Sequence, residues 1–247
     1  VAGVSRARAD ELEAIRRSGV PFTAAEQADA ELALNNLSSD LVNAESGDRM
    51  VSRLGLGIAF DNRRGDPIFP DYGTLTRLDT ELAGGPFGFD TDYYRVELRS
   101  NWHYPSLVET YQRLMARMRR NGNRRYEVPE FFEGHTFAFR FRTGVVDSFG
   151  DSNRVPLFDR FFLGGQYDLR GYDFREVGPR DNPFNNEPIG GGTFWFGSAE
   201  YTIPIVEQFR VAAFYDAGNV YQDSWDFGSF GDYSDDWGIG IRIATPL

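Results

Sequence analysis

No cysteine, no lysine and only two histidines, His103 and His135, occur among the 247 residues. The lack of cysteine removes disulfide frameworks, thiol nucleophiles and thiolate-bound metals, and two isolated histidines do not build a histidine-rich metal site. All positive charge is arginine, 26 residues against 37 acids, and the net charge of −11 argues against nucleic acid as a partner. No segment approaches the roughly 18 apolar residues of a membrane-crossing helix. A transmembrane β-barrel lacks such runs too, since only alternate residues of each strand face lipid, so that architecture stays open. The chain starts at Val1 with neither Met nor a signal peptide, and is expected to be a mature product or part of something longer.

What is present falls into two regions. Residues 1–50 read as a helical loop insertion: Ala7 to Arg17 forms a short polar helix stopped at Gly19, and Thr23 with Glu26 is a capping box opening a second helix to about Asn36. Neither helix carries a strong apolar stripe, which favours a solvated insertion over a dedicated binding arm.

From Val51 onward the pattern has period two. Leu54, Leu56, Ile58 and Phe60 alternate with Arg53, Gly55, Gly57 and Ala59. The same alternation recurs over Thr76 to Leu82, Tyr93 to Tyr104, Thr136 to Val146, Thr193 to Ile205, Phe209 to Ala217 and Trp237 to Ala244, giving seven strands. In the fourth, Phe137, Phe139, Phe141 and Val145 oppose Ala138, Arg140, Arg142 and Gly144.

Sidedness sets the class. A soluble sandwich also alternates, with one face wet. Here the polar side is rich in Gly, Arg, Glu and Asp, while the apolar side carries large aromatics near strand ends. Those features match a barrel lumen and interfacial girdles. The expected fold is all-β, an antiparallel transmembrane β-barrel with helical loop insertions.

The links are uneven. Pro105 to Glu133 holds an arginine-rich helix over Ser106 to Arg120, either a solvated basic helix or a contact for anionic lipid head groups or an acidic partner. Gln222 to Asp236 reads as a solvated acidic loop. The longest link, residues 147–192, contains Gly164-Gly165, suited to a tight turn, and Leu169-Arg170-Gly171-Tyr172, where Gly171 could take positive φ. No nucleotide-binding glycine spacing is present.

This segment resembles the inward-folding sixth extracellular loop of BamA-type outer-membrane assembly factors, with its Gly-Gly turn and (Val/Leu)-Arg-Gly-(Phe/Tyr) tip. Three further pieces match in order: Ser52 to Arg63 followed by Gly73-Thr74-Leu75-Thr76, then Ser198-Ala199-Glu200-Tyr201, then Phe214 to Val220. The resemblance covers residues 51–247 and implies that Arg170 pairs with acids on the inner wall, at the positions of Glu200 and Asp216. Strand parity independently puts both acids on the polar face. The resemblance also implies a barrel of roughly sixteen strands preceded by POTRA domains, so that about seven strands would precede Val51 and two would follow Leu247.

The function implied is assembly and insertion of outer-membrane β-barrel precursors in the bacterial outer membrane, with no covalent chemistry, cofactor or metal. Unfolded precursors, accessory assembly lipoproteins and outer-membrane lipids are the implied partners. TamA-like or two-partner-secretion translocation pores and a passive porin are the alternatives. A glycosidase is disfavoured because the plentiful acids come with no accompanying nucleophile or metal set.

Overall fold

A computed structural model describes residues 51–66, 68–85, 91–106, 110–111, 134–152, 154–180, 188–206, 208–229 and 231–244. The helices expected within residues 1–50 lie outside the described residues, as does most of the basic helix expected from Ser106 to Arg120. At its start, the Thr110 N–H donates to the Ser106 carbonyl at 2.9 Å, the spacing of a helical turn.

The strands are β1 (Arg53–Asp61), β2 (Arg64–Gly65), β3 (Pro70–Ala83), β4 (Tyr93–Pro105), β5 (Thr136–Ser148), β6 (Thr193–Val206), β7 (Phe209–Tyr221) and β8 (Ser234–Ile243). They form one open sheet in the order β1-β3-β4-β5-β6-β7-β8, with β2 paired to β3. Every pairing is antiparallel. All seven expected strands are present. The two-residue β2 is additional, β3 begins at Pro70 instead of Thr76, and β8 begins at Ser234 instead of Trp237.

Register explains the sidedness, because residues opposite one another share a face. One rung runs Ile58, Leu78, Leu98, Thr143, Trp195 across five strands. The adjacent rung, on the other face, runs Gly57, Asp79, Glu97, Gly144, Phe194. In β8 the outward residues Trp237, Ile239, Ile241 and Ile243 are 79, 76, 67 and 55% exposed, while their inward neighbours are half-buried. An exposed ladder of isoleucine and tryptophan is costly in water and favourable in hydrocarbon.

Aromatic rings close both edges of this face. Near the turn that joins β6 to β7, Tyr72, Tyr104, Phe139, Phe137 and Tyr201 make a continuous chain with centroid spacings of 6.3, 6.4, 6.3 and 4.6 Å. At the opposite end Trp195 lies 5.9 Å from Tyr233, and the Trp225 Nε1–H donates to the Tyr94 hydroxyl at 2.7 Å. Such paired belts are what flank the apolar band of an outer-membrane barrel.

The inner face is less uniformly polar than the sequence suggested. Phe194, Phe196, Val146 and Val220 point inward and pack with Phe161, Leu163, Leu169 and Val177 of the long loop in one buried cluster. Charged inner residues surround this cluster, which gives the loop an apolar seat. The long loop lies at the end where β1 begins, whereas β4 delivers Pro105 to the opposite end. The insertions expected before Arg53 and after Pro105 therefore attach on opposite sides of the membrane.

Placing Ile239→Arg on the outward ladder should destabilise the protein in lipid vesicles by about 2 to 4 kcal/mol, the range for arginine near the bilayer midplane. Chemical denaturation of the full-length protein in vesicles measures this, and an unchanged midpoint would contradict the lipid-facing assignment.

Candidate functional site

The loop's local conformation follows from its glycines. Gly164 and Gly165 have φ of 113° and 106°, in the left-handed region. A Cβ on Gly164 would lie 2.4 Å from the Asp173 carbonyl oxygen, so no larger residue fits there. The Gly165 N–H donates to the carbonyls of Leu169 and Tyr172, each at 3.0 Å, which closes the tip into a compact turn. Gly171 is not among the positive-φ residues, contrary to the expectation from sequence. It is needed for proximity: a Cβ there would come within 2.7 Å of the Asp236 Cβ on β8. The Tyr172 hydroxyl then donates to the Asp235 carbonyl at 3.2 Å. Asp235 and Asp236 thus belong to β8 and to the seat of the tip, not to the solvated loop expected over Gln222 to Asp236.

Arg170 joins two strands of the wall. Its Nε and Nη2 donate to Asp216 Oδ2 and Oδ1 at 2.6 and 2.8 Å, a bidentate fork onto β7. Nη1 donates to Glu200 Oε2 on β6 at 2.6 Å, and Nη2 also reaches Ser198 Oγ at 3.3 Å. The guanidinium carbon lies 3.4 Å from the centroid of the Phe214 ring, a close cation–π stack. Arg170, Glu200 and Asp216 therefore meet as expected, and Gly164, Gly165, Gly171 and Tyr172 shape and seat the tip. Burial alone would lower the Arg170 guanidinium, but its hydrogen bonds to Asp216 and Glu200 outweigh this and raise it. Asp216 is fully buried, and the Arg170 fork reaches both of its carboxylate oxygens.

Two further arginines extend the site beyond the residues that the sequence motif indicates. Arg242 on β8 donates to Glu200 Oε1 at 3.0 Å and to Oε2 at 2.5 Å, which carries the clamp one strand further. Arg140 on β5 donates to Ser198 Oγ at 3.1 Å and to the Tyr167 carbonyl at 3.3 Å. Strand parity would have put both on the inner face, but parity does not choose among many inward arginines. Among the described residues, no cluster of acids and histidines is arranged to hold a metal.

A lipid-facing antiparallel sheet whose inner wall holds a folded-in loop through buried ion pairs is the wall of an outer-membrane β-barrel. The chain belongs to the Omp85 superfamily, whose domain model matches residues 14–247. It is 27% identical over 180 residues to the outer membrane protein assembly factor BamA of Nitratidesulfovibrio vulgaris, covering 72% of this chain and 19% of that protein. It is 25% identical over 199 residues to the human sorting and assembly machinery component 50 homolog, covering 76% of this chain and 35% of that protein. The crystal structure of BamA from Haemophilus ducreyi lacking POTRA domains 1–3 shares the fold, with a TM-score of 0.58 at 22% identity over 79% of this chain and 36% of that one. The chain spans well under half the length of these relatives. Its family assigns it to an outer membrane.

Arg170→Ala leaves Asp216 buried without its fork, a loss of about 3 to 5 kcal/mol for a broken buried pair. The loop of the full-length protein should become protease-sensitive. Exchanging the charges, Arg170→Asp with Asp216→Arg, should restore part of the protection. Resistance unchanged in Arg170→Ala would show that the clamp does not hold the loop.

Proposed function

We propose that this chain is part of a bacterial outer-membrane β-barrel assembly factor, which helps unfolded barrel precursors fold and insert. The observation that carries this reading is the Arg170 clamp. A loop fixed by a three-point guanidinium contact to Asp216 and Glu200, above an apolar seat, occupies the inner wall that a passive pore would leave open to water. The two relatives bear the names of assembly components, and the BamA relative supports the bacterial setting.

The physical task is to protect strand edges. A precursor entering hydrocarbon exposes backbone N–H and C=O groups that water no longer satisfies, so partner strands and a locally perturbed bilayer lower the cost of insertion. No covalent bond is made or broken in such a process, and the reading calls for no cofactor or metal. This chain contributes a wall held stiff by its loop. Its partners are unfolded outer-membrane precursors, accessory assembly lipoproteins and outer-membrane lipids. TamA-like and two-partner-secretion translocation are variants of the same architecture, in which the moving chain crosses the membrane instead of staying in it.

Reconstitution of the full-length protein into liposomes tests the reading. Unfolded outer-membrane precursors should convert to their heat-resistant folded form faster than in empty liposomes, and Arg170→Ala should slow that conversion. Conductance should be low with the loop present and rise when it is deleted. A large steady pore together with no acceleration of folding would favour the passive porin.

A further inference from the structure

The Arg170 node accounts for one side of the tip. Two residues earlier, Asp168 faces the opposite way. Its carboxylate accepts from Arg142 Nη1 on β5, and the Asp168 side chain is only 16% exposed. Arg142 uses its remaining donors on Glu97 of β4, with Nη2 and Nε at 3.0 and 3.3 Å from Oε1. Glu97 is itself almost fully buried and is also held by Arg99, at 2.7 and 3.0 Å, and by Arg95 at 3.3 Å. Between the two charged loop residues, Leu169 is completely buried in the apolar cluster.

We infer that Asp168 is a second positioning residue of the loop, forming with Arg142 and Glu97 a latch whose polarity is the reverse of the Arg170 clamp. The loop presents an acid to a wall arginine on one side and an arginine to wall acids on the other. Signs then alternate from Glu97 through Arg142, Asp168, Arg170 and Glu200 to Arg242, along a path from β4 to β8 that passes through the tip. A tip carrying one charge could rotate about its anchor. Opposite charges flanking a buried leucine admit a single orientation, since reversal would bring Asp168 against Asp216 and Arg170 against Arg142, each pair repelling at short range. The latch also ties the loop to β4 and β5, which Arg170 does not touch. This inference rests on the loop geometry and stands apart from the assembly reading.

The cysteine-free sequence makes a clean test possible. A nitroxide attached to Tyr167→Cys in the full-length, lipid-reconstituted protein reports tip motion without any substrate, because the Tyr167 side chain is exposed. The spectrum should be motionally restricted in the parent and shift toward the mobile line shape in Asp168→Asn. Arg142→Gln should give the same shift, and combining the two should add nothing. Glu97 keeps Arg99 and Arg95 in that variant, so the wall stays ion-paired. The charge-keeping Asp168→Glu should retain the restricted spectrum, whereas the isosteric Asp168→Asn loses it, which ties the effect to the charge and not to shape. Heat resistance of the barrel on gels confirms that each variant is folded. An unchanged spectrum in folded Asp168→Asn, with Arg170→Ala mobile, would overturn the second latch. A mobile tip with undiminished precursor insertion would count against the assembly reading and leave the latch standing.

Discussion

The constraint on which the structure depends is that charge inside a membrane-embedded barrel has to be matched locally. Arg170 meets it with one planar group that bonds two carboxylates and stacks on Phe214. A lysine ammonium could neutralise one acid but offers neither the fork nor the stacking face. The absence of lysine from the whole sequence accords with this demand. The inner wall is rich in guanidinium groups, and Glu97 alone receives three of them, Arg95 and Arg99 from its own strand and Arg142 from the next.

Packing and electrostatics divide the work of seating the loop. The apolar cluster of Phe161, Leu163, Leu169, Val177, Phe194 and Phe196 removes water from between loop and wall, which strengthens the ion pairs beside it. Burial pushes the Asp168 carboxyl up from its ordinary value, against the opposing pull of Arg142. Directional pairs then select one orientation from those the apolar contact would tolerate. Glycine serves both needs, as positive φ at Gly164 and Gly165 and as close approach at Gly171.

Much of this was legible in the sequence because period-two alternation is a local signal. The outward ladders at Phe137, Phe139 and Phe141 and at Ile239 to Ile243 could be read directly, and parity placed Glu200 and Asp216 on the face that receives Arg170. What escaped was non-local or broke the pattern. Strand β2 is too short to show periodicity, and the first residues of β3 are strand partly because Tyr72 pairs with Arg64 of β2. Asp235 and Asp236 look like loop acids until their pairing with Ala217 and Asp216 is seen. Parity puts Phe196 on the inward face, but only the folded-in loop explains why it and Phe194 are aromatic on a wall expected to be polar. The partnership of Arg142 with Asp168 spans 26 residues and could not be chosen from the many inward arginines.

The most direct test of the central claim is a solid-state NMR measurement on the full-length protein in lipid bilayers, with nitrogen-15 in the arginine guanidinium groups and carbon-13 in the carboxylates. Dipolar contacts from Arg170 to the carboxylate carbons of both Glu200 and Asp216, with slow exchange of its guanidinium protons, are the predicted result. An Arg170 signal that exchanges rapidly with bulk water and shows contact to neither acid would contradict the account.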